Sequence, residues 1–289
     1  MLTKEQLQKR IADGLRFLDG ATGSNLQKAG MPKGCCTEQW VLENPDMLQN
    51  LQRAYAAAGS QILYAPTFQA QPIALERVGL AEKTETVNAS LVALSRAAAP
   101  ECLIAGDLTT LAAFCESWDP DNIDLLIDNY RRQIRGFLDG GADRLVAETL
   151  MYPLEAEAIL TAAEMEGAGA VMYSFVVTPD GSLFSGQDAV PVLKDLSEHA
   201  AAVGFNCVAA DMMTPYLVRK LAKEIRIPIL CKPNAGNPTI NAAGVPEYDM
   251  DTDEFAKILL DCHRSGARLL GGCCGTTPAH IAAMTEYIK

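Results

Sequence analysis

Eight short apolar runs recur along the 289-residue chain, and a longer stretch with helical spacing of apolar residues separates each run from the next. The runs lie at residues 16–19, 61–67, 102–108, 144–149, 170–177, 203–207, 228–234 and 268–273. Each run is continuous and not alternating, which is typical of strands buried on both faces of a parallel sheet. Eight strand–helix units predict an α/β fold, a (β/α)8 TIM barrel with parallel strands.

The rival architecture is an open, doubly wound parallel sheet. No GxGxxG pattern follows the first predicted strand, which weakens a dinucleotide-binding interpretation. No glycine/serine-rich linker divides the chain, so we expect one domain over residues 1–289. The longest irregular segments, at 23–44, 109–121, 178–188 and 235–250, all follow predicted strands. They should therefore lie at the carboxyl ends of the strands, where barrels carry active sites.

Composition excludes several classes of protein. Hydrophobic residues make up 49% of the chain and charged residues 21%, which is ordinary for a globular protein and excludes wholesale disorder. A net charge of −12 argues against nucleic acid or a membrane surface as a partner. The amino-terminal segment has no signal-peptide core, and nine cysteines are an odd number. We therefore expect a reducing, cytoplasmic location without a disulfide framework.

Side chains that can take part in catalysis or metal binding end the predicted strands. They are Asp19, Asp107, Glu148, Cys207, Asn234, and the adjacent pair Cys273 and Cys274. Three thiols without a nearby histidine suit a zinc site that keeps one position open. The alternative is a buried cysteine pair in the tight turn GGCCG, and the spacing alone leaves both interpretations open. Cysteines 102, 231 and 262 lie inside predicted strands or helices and are interpreted as core residues.

Several segments resemble the zinc-dependent homocysteine S-methyltransferase family. They are LDGATGSNL at 18–26, GADRLVAET at 141–149, GFNC at 204–207, KPNAG at 232–236 and GGCCGTTPAHI at 271–281. They follow the family's order over nearly the whole chain. The resemblance implies a (β/α)8 barrel, and it implies Zn²⁺ held by Cys207, Cys273 and Cys274.

The same resemblance implies roles for individual residues. Catalytic roles fall to the three cysteines and to Glu148, which would hold the homocysteine ammonium. The other residues implied to bind substrate are Asp19, Gly20, Phe68, Thr149 and Asn234. Zinc would keep the acceptor's sulfur deprotonated so that it attacks the methyl carbon of a donor.

The implied function is methyl transfer to homocysteine to form methionine, by a stand-alone barrel with a separate donor. That donor would be a methylcorrinoid protein, S-methylmethionine or S-adenosylmethionine. Met151 and Tyr152 replace small polar residues of the family near Glu148, which leaves another thiol acceptor open. One alternative is a non-catalytic or partner-dependent zinc-binding subunit of a corrinoid methyltransferase complex. Another is a barrel of the aldolase or isomerase type, for which Lys232 is the one candidate lysine.

Overall fold

The computed structural model describes residues 1–14, 16–112, 122–241 and 246–289. Within these ranges the helices are α1 (Lys4–Ala12), α2 (Gly23–Lys28), α3 (Thr37–Glu43), α4 (Pro45–Ala57), α5 (Pro72–Leu75), α6 (Thr84–Ala98), α7 (Ile123–Asp139), α8 (Pro153–Met165), α9 (Ala189–Leu196), α10 (Thr214–Glu224), α11 (Thr252–Ser265) and α12 (Pro278–Ile288). The strands are β1 (Ile62–Tyr64), β2 (Leu103–Thr109), β3 (Arg144–Leu150), β4 (Met172–Val176), β5 (Ala202–Ala209), β6 (Ile229–Asn234), β7 (Thr239–Ile240), β8 (Pro246–Glu247) and β9 (Ala267–Leu270). Cysteine 115 and parts of the predicted loops 109–121 and 235–250 lie outside the described residues.

Seven of these strands form one curled parallel sheet, in the order β1-β2-β3-β4-β5-β6-β9. Every neighbouring pair in that sheet is parallel, and helices follow the strands along the chain. The short strands β7 and β8 pair with each other in an antiparallel hairpin. The sheet confirms the prediction of a TIM-barrel-like α/β fold, in which parallel strands are covered by helices.

The first predicted strand, at residues 16–19, forms parallel bridges to both edges of the sheet and is not a regular strand. Phe17 bridges to Leu270 of β9, and Leu18 bridges to Ile62 of β1, both in parallel. The reason lies in Gln61, whose side-chain Oε1 accepts hydrogen bonds from the backbone N–H groups of residues 16 and 17 at 2.8 and 3.1 Å. A side chain thus replaces part of the backbone ladder at this seam.

The inner core places the candidate site at one end of the sheet. Leu7 and Ile11 of α1 pack in one buried cluster with inward-facing strand residues such as Val146 and Leu230. Helix α1 therefore covers the amino-terminal end of the strands, and the carboxyl-terminal end is left for the cavity described below. The eight cysteines among the described residues are free thiols. None of the described helices is long and apolar enough to cross a bilayer.

Candidate metal and acceptor site

Three cysteine sulfurs meet at the carboxyl end of the sheet. The Sγ atoms of Cys207, Cys273 and Cys274 all lie within 4.8 Å of one another, and those of Cys207 and Cys273 are 3.1 Å apart. Cys207 comes from β5, whereas the adjacent pair lies in the turn after β9. The structure therefore brings together the three thiols that the sequence singled out, across 66 residues of chain.

Two strands deviate from regular geometry where they reach this cluster. Thr149 in β3 has φ +60° and Cys207 in β5 has φ +55°, a left-handed conformation that is uncommon for residues other than glycine. The register shifts between Ala147 and Leu150, and again between Asn206 and Ala209. Such backbone costs on the order of 1–3 kcal/mol per residue and tends to occur at functional sites. These deviations re-aim the two side chains toward the cavity.

Asn206, which is completely buried, joins the two irregular segments. Its Oδ1 accepts hydrogen bonds from Thr149 N at 2.9 Å and from Ser174 Oγ at 3.0 Å. Its Nδ2 donates to Thr149 Oγ1 at 2.7 Å and lies 3.7 and 3.9 Å from the sulfurs of Cys207 and Cys273. Asn206 therefore holds the backbone and directs N–H groups toward two sulfurs. The sequence analysis missed it, although it precedes Cys207 in the motif GFNC.

Tyr248 covers the cysteine turn from the other side. Gly275 has φ +81°, and a Cβ built there would lie 2.3 Å from Tyr248 Cγ, so no other residue fits without displacing the ring. The Tyr248 hydroxyl also hydrogen-bonds with Cys274 and helps to lower the pKa of that thiol. No motif marked Tyr248, which lies in one of the long segments predicted at the site.

The thiols share protons unequally. Hydrogen bonds from Cys207 and Cys273 lower the pKa of Cys274 to about 3, whereas hydrogen bonding to Cys273 and Cys274 raises the pKa of Cys207. The cluster therefore carries a thiolate at neutral pH. Three soft sulfur donors, one of them already ionised, fit a thiophilic divalent metal such as zinc.

A cavity of about 410 Å³ adjoins the sulfurs. Eight of the nine site residues predicted from the sequence line it: Asp19, Gly20, Phe68, Glu148, Thr149, Cys207, Cys273 and Cys274. The ninth, Asn234, is buried at the end of β6 and is not among the residues lining the cavity. Its Oδ1 lacks a hydrogen-bond partner among the described residues. The geometry thus unites all but one of the predicted residues.

Gly20 allows the chain after the first predicted strand to approach Tyr55 and Thr276 closely. A Cβ at this position would lie 2.6 Å from Tyr55 Oη and 2.8 Å from Thr276 Oγ1. The Thr276 hydroxyl in turn donates to Cys273 O at 2.7 Å and accepts from Ala21 N at 3.1 Å. The glycine therefore permits the contact that links the chain after Asp19 to the cysteine turn.

Lys232 forms the charged floor of the cavity. Its Nζ lies 3.0 Å from Asp19 Oδ1, 3.5 Å from Glu148 Oε2 and 3.6 Å from the centroid of the Tyr64 ring. Burial lowers the pKa of Lys232, but the two carboxylates outweigh burial and raise that pKa well above its ordinary value. An amine held protonated is a poor nucleophile, so this environment disfavours the aldolase interpretation. The sequence analysis did not foresee the ion pair.

Four carboxyl groups line the cavity, and burial raises the pKa of each of them. Burial raises the pKa of Glu148 to about 7, and the Lys232 ammonium opposes that shift. Burial and the nearby Glu148 raise the pKa of Asp107 well above its ordinary value. Glu38, which the sequence analysis also missed, accepts hydrogen bonds from Gln69 N at 2.7 Å and Cys36 Sγ at 3.4 Å. Burial also raises the pKa of Asp19, and the Lys232 ammonium opposes that shift.

Comparison with known proteins agrees with this arrangement. The family model described as homocysteine S-methyltransferase matches residues 16–288. Methionine synthases of Mycobacterium leprae and Mycobacterium tuberculosis are each 29% identical over 98% of this chain, which spans only 25% of their length. The metallated form of the homocysteine methyltransferase MmuM from Escherichia coli matches at a TM-score of 0.82 and 26% identity. That match covers 97% of this chain and 99% of that one.

Proposed function

Because the chain belongs to the homocysteine S-methyltransferase family, we propose that it transfers a methyl group to the sulfur of homocysteine and forms methionine. The observation that carries the proposal is the meeting of three cysteine sulfurs with Glu148 and Thr149 at one cavity. The match to the homocysteine methyltransferase MmuM, at a TM-score of 0.82 and 26% identity, supports the same acceptor for this chain.

We propose Zn²⁺ as the metal and Cys207, Cys273 and Cys274 as its ligands. Held by these three sulfurs, zinc would supply the Lewis acidity that keeps the acceptor's thiol deprotonated at neutral pH. Asn206 Nδ2, 3.7 Å from Cys207 Sγ and 3.9 Å from Cys273 Sγ, would orient both ligands. The Thr149 hydroxyl, 3.7 Å from Cys207 Sγ, would do the same from the neighbouring strand.

Glu148 would contact the ammonium of the acceptor, since it lines the cavity together with the two cysteines of the turn. A carboxylate facing an ammonium in a site with little water gives a strong, orienting contact. Ala65, Pro66 and Phe68 supply an apolar wall that would exclude water from the reacting sulfur. A cavity of about 410 Å³ has room for an amino acid of this size. Asn234 would support the cysteine turn from behind. The residue that follows it, Ala235, donates a backbone hydrogen bond to Cys274 O at 2.9 Å.

The methyl donor is a separate molecule in this proposal: a methylcorrinoid protein, S-methylmethionine or S-adenosylmethionine. The methyl carbon would pass to the acceptor's sulfur, and the electron pair of the broken bond would leave with the donor. The alternative of a non-catalytic zinc subunit is not favoured, because the sulfur cluster, the carboxylate and the cavity occur together in one chain.

A donor panel tests the function. Zinc-loaded protein is incubated with L-homocysteine and, in turn, S-methylmethionine, S-adenosylmethionine or methylcobalamin, and methionine is measured. We expect methionine with at least one donor, and none from the Cys273→Ser variant under the same conditions. Cys35→Ser, a change at an exposed cysteine, is the matched control and should retain the activity. No methionine from any donor would overturn the proposal.

A further inference from the structure

A second cleft lies at the amino-terminal end of the sheet, opposite the three sulfurs. Its volume is about 830 Å³, and its lining comes from α1, the ends of α10 and α11, and the starts of β6 and β9. Three arginines line it: Arg16, Arg226 and Arg268. None of the described lining residues is acidic, although the chain as a whole has a net charge of −12. The cleft is therefore a local concentration of positive charge.

Most of the N–H donors of these guanidinium groups have no partner within the described ranges. Arg16 Nε donates to Gly14 O at 3.3 Å, and Arg268 Nη1 donates to the carbonyl oxygens of residues 267 and 263 at 3.1 and 3.4 Å. Arg226 is exposed and forms neither a hydrogen bond nor an ion pair with the described residues. By contrast, the arginines at positions 96, 131, 132, 135 and 264 each pair with a carboxylate. Because each guanidinium carries five N–H donors, the cleft keeps several of them free for a ligand.

The imidazole of His263 lies within the same positive field. Its Nδ1 is 3.2 Å from Ala267 O, and because a carbonyl oxygen only accepts, Nδ1 carries the proton. Burial lowers the pKa of His263, and the charges of Arg16 and Arg268 lower it further. The positive potential of these two arginines thus reaches the imidazole that lines the cleft beside them.

We propose that this cleft binds a phosphate-bearing molecule, whose phosphate oxygens accept hydrogen bonds from Arg16, Arg226 and Arg268. Guanidinium groups suit this role, because their planar, paired donors match the oxygens of a phosphate. Ile11 and Ile227 line the same cleft and offer an apolar surface for the organic part of such a molecule. The site lies away from the sulfur cluster, so the inference goes beyond the proposed methyl transfer and can fail without it.

Neutralisation of nearby helix ends does not consume the charge of the cleft. The carboxyl ends of α10 and α11 each carry only about half an elementary negative charge. Glu224, the carboxylate at the end of α10, already pairs with Lys194 at 2.9 Å. Three guanidinium charges exceed these partial charges, which leaves positive charge to attract an anion.

Isothermal titration calorimetry of the zinc-loaded protein with inorganic pyrophosphate and with ADP tests the inference. We expect saturable binding of at least one of the two probes, weakened by added salt. Tighter binding of ADP would support a contribution from the apolar wall, and similar binding would support recognition of the phosphates alone. Binding of neither probe overturns the inference.

Two variants locate the binding. Arg226→Gln removes an exposed charge without breaking any hydrogen bond of the described chain, and it should weaken binding about tenfold, the scale of a charge-assisted hydrogen bond. Arg268→Gln should have an effect of similar size. Arg53→Gln, the same change at an exposed residue of α4, is the control and should bind as the wild type does. Binding that is unchanged in both cleft variants would place the probe elsewhere, for instance on the zinc, and would overturn the inference.

Proton NMR provides an independent readout of the site. The imidazole signal of His263 should shift as pyrophosphate is added, because the ligand would lie beside that ring. The signal of His280, which is held by Thr277 and Met250 O near the cysteine turn, should stay in place. A shift of His280 without a shift of His263 would contradict the assignment of the cleft.

Discussion

The hydroxyl of Thr149 lies 3.7 Å from the sulfur of Cys207, and these two are the non-glycine residues with left-handed φ in the described chain. Each sits at a register shift of its own strand. The two irregularities face each other because Asn206 bonds to Thr149 through both its oxygen and its nitrogen. Backbone strain in β3 and β5 thereby aims the side chains of Thr149 and Cys207 into the cavity.

Asn206→Asp should weaken zinc binding about 10- to 100-fold, the range typical of residues that support metal ligands. The substitution keeps the acceptor of Thr149 N but replaces the N–H groups near two sulfurs with a negative oxygen. Competition with a chromophoric chelator measures the affinity. Asn50→Asp, on the exposed side of α4, is the control. An unchanged affinity in Asn206→Asp would show that Asn206 does not support the ligands.

Cys274→Ser should reduce bound zinc to a small fraction of the wild-type content, because it replaces the ionised sulfur of the cluster with a hydroxyl. Metal analysis after dialysis against a weak chelator measures the content per chain. Cys262→Ser changes a buried cysteine of α11 that is not part of the cluster, and it should retain the metal. Equal zinc content in both variants would contradict the assignment of Cys274 as a ligand.

Gly20→Ala should lower the free energy of unfolding by about 1–3 kcal/mol, the usual cost of overpacking. Its Cβ would press on Tyr55 Oη and Thr276 Oγ1 at 2.6 and 2.8 Å. Gly23→Ala is a matched control, since a Cβ there meets nothing within 4 Å, and its effect should stay within about 0.5 kcal/mol. Denaturant unfolding measures both. Equal effects of the two substitutions would contradict the close approach at Gly20.

Glu38→Gln should stabilise the protein relative to wild type increasingly as pH rises above the ordinary range of a carboxyl group. Burial raises the pKa of Glu38 in the folded protein above its value in the unfolded chain. The free energy of unfolding of the wild-type protein therefore falls as pH rises and this carboxyl ionises. Glutamine avoids the ionisation and retains an acceptor for Gln69 N. Thermal unfolding of both proteins from pH 4 to 8 measures the difference. A difference that is constant or shrinks with pH would contradict this account; Glu43→Gln, at an exposed residue of α3, is the control.

The sequence predicted the parallel architecture and the sulfur cluster, because both depend on local patterns. Continuous apolar runs mark buried strands, and the motifs GFNC and GGCCGT place thiols at two strand ends. The first strand is less regular than predicted, because Gln61, 44 residues away from Phe17, supplies side-chain hydrogen bonds in place of part of the ladder. No apolar pattern contains that information.

The charged floor was missed for a related reason. Lys232 and Asp19 are 213 residues apart, and Lys232 lies in a strand that reads as apolar on either side. Whether its ammonium is buried and paired depends on which strands become neighbours and on which way each side chain points. The left-handed φ of Cys207 is equally invisible in the sequence, since it is imposed by Asn206 and the adjacent strands.

Zinc-edge X-ray absorption on the purified protein, with and without L-homocysteine, tests the central claim most directly. The account predicts zinc with three sulfur ligands and one lighter atom, in which homocysteine replaces the lighter atom with a fourth sulfur. Protein purified under reducing conditions without chelator that contains no zinc would contradict the metal site at Cys207, Cys273 and Cys274. Three sulfurs that stay unchanged on adding homocysteine would contradict homocysteine as the acceptor.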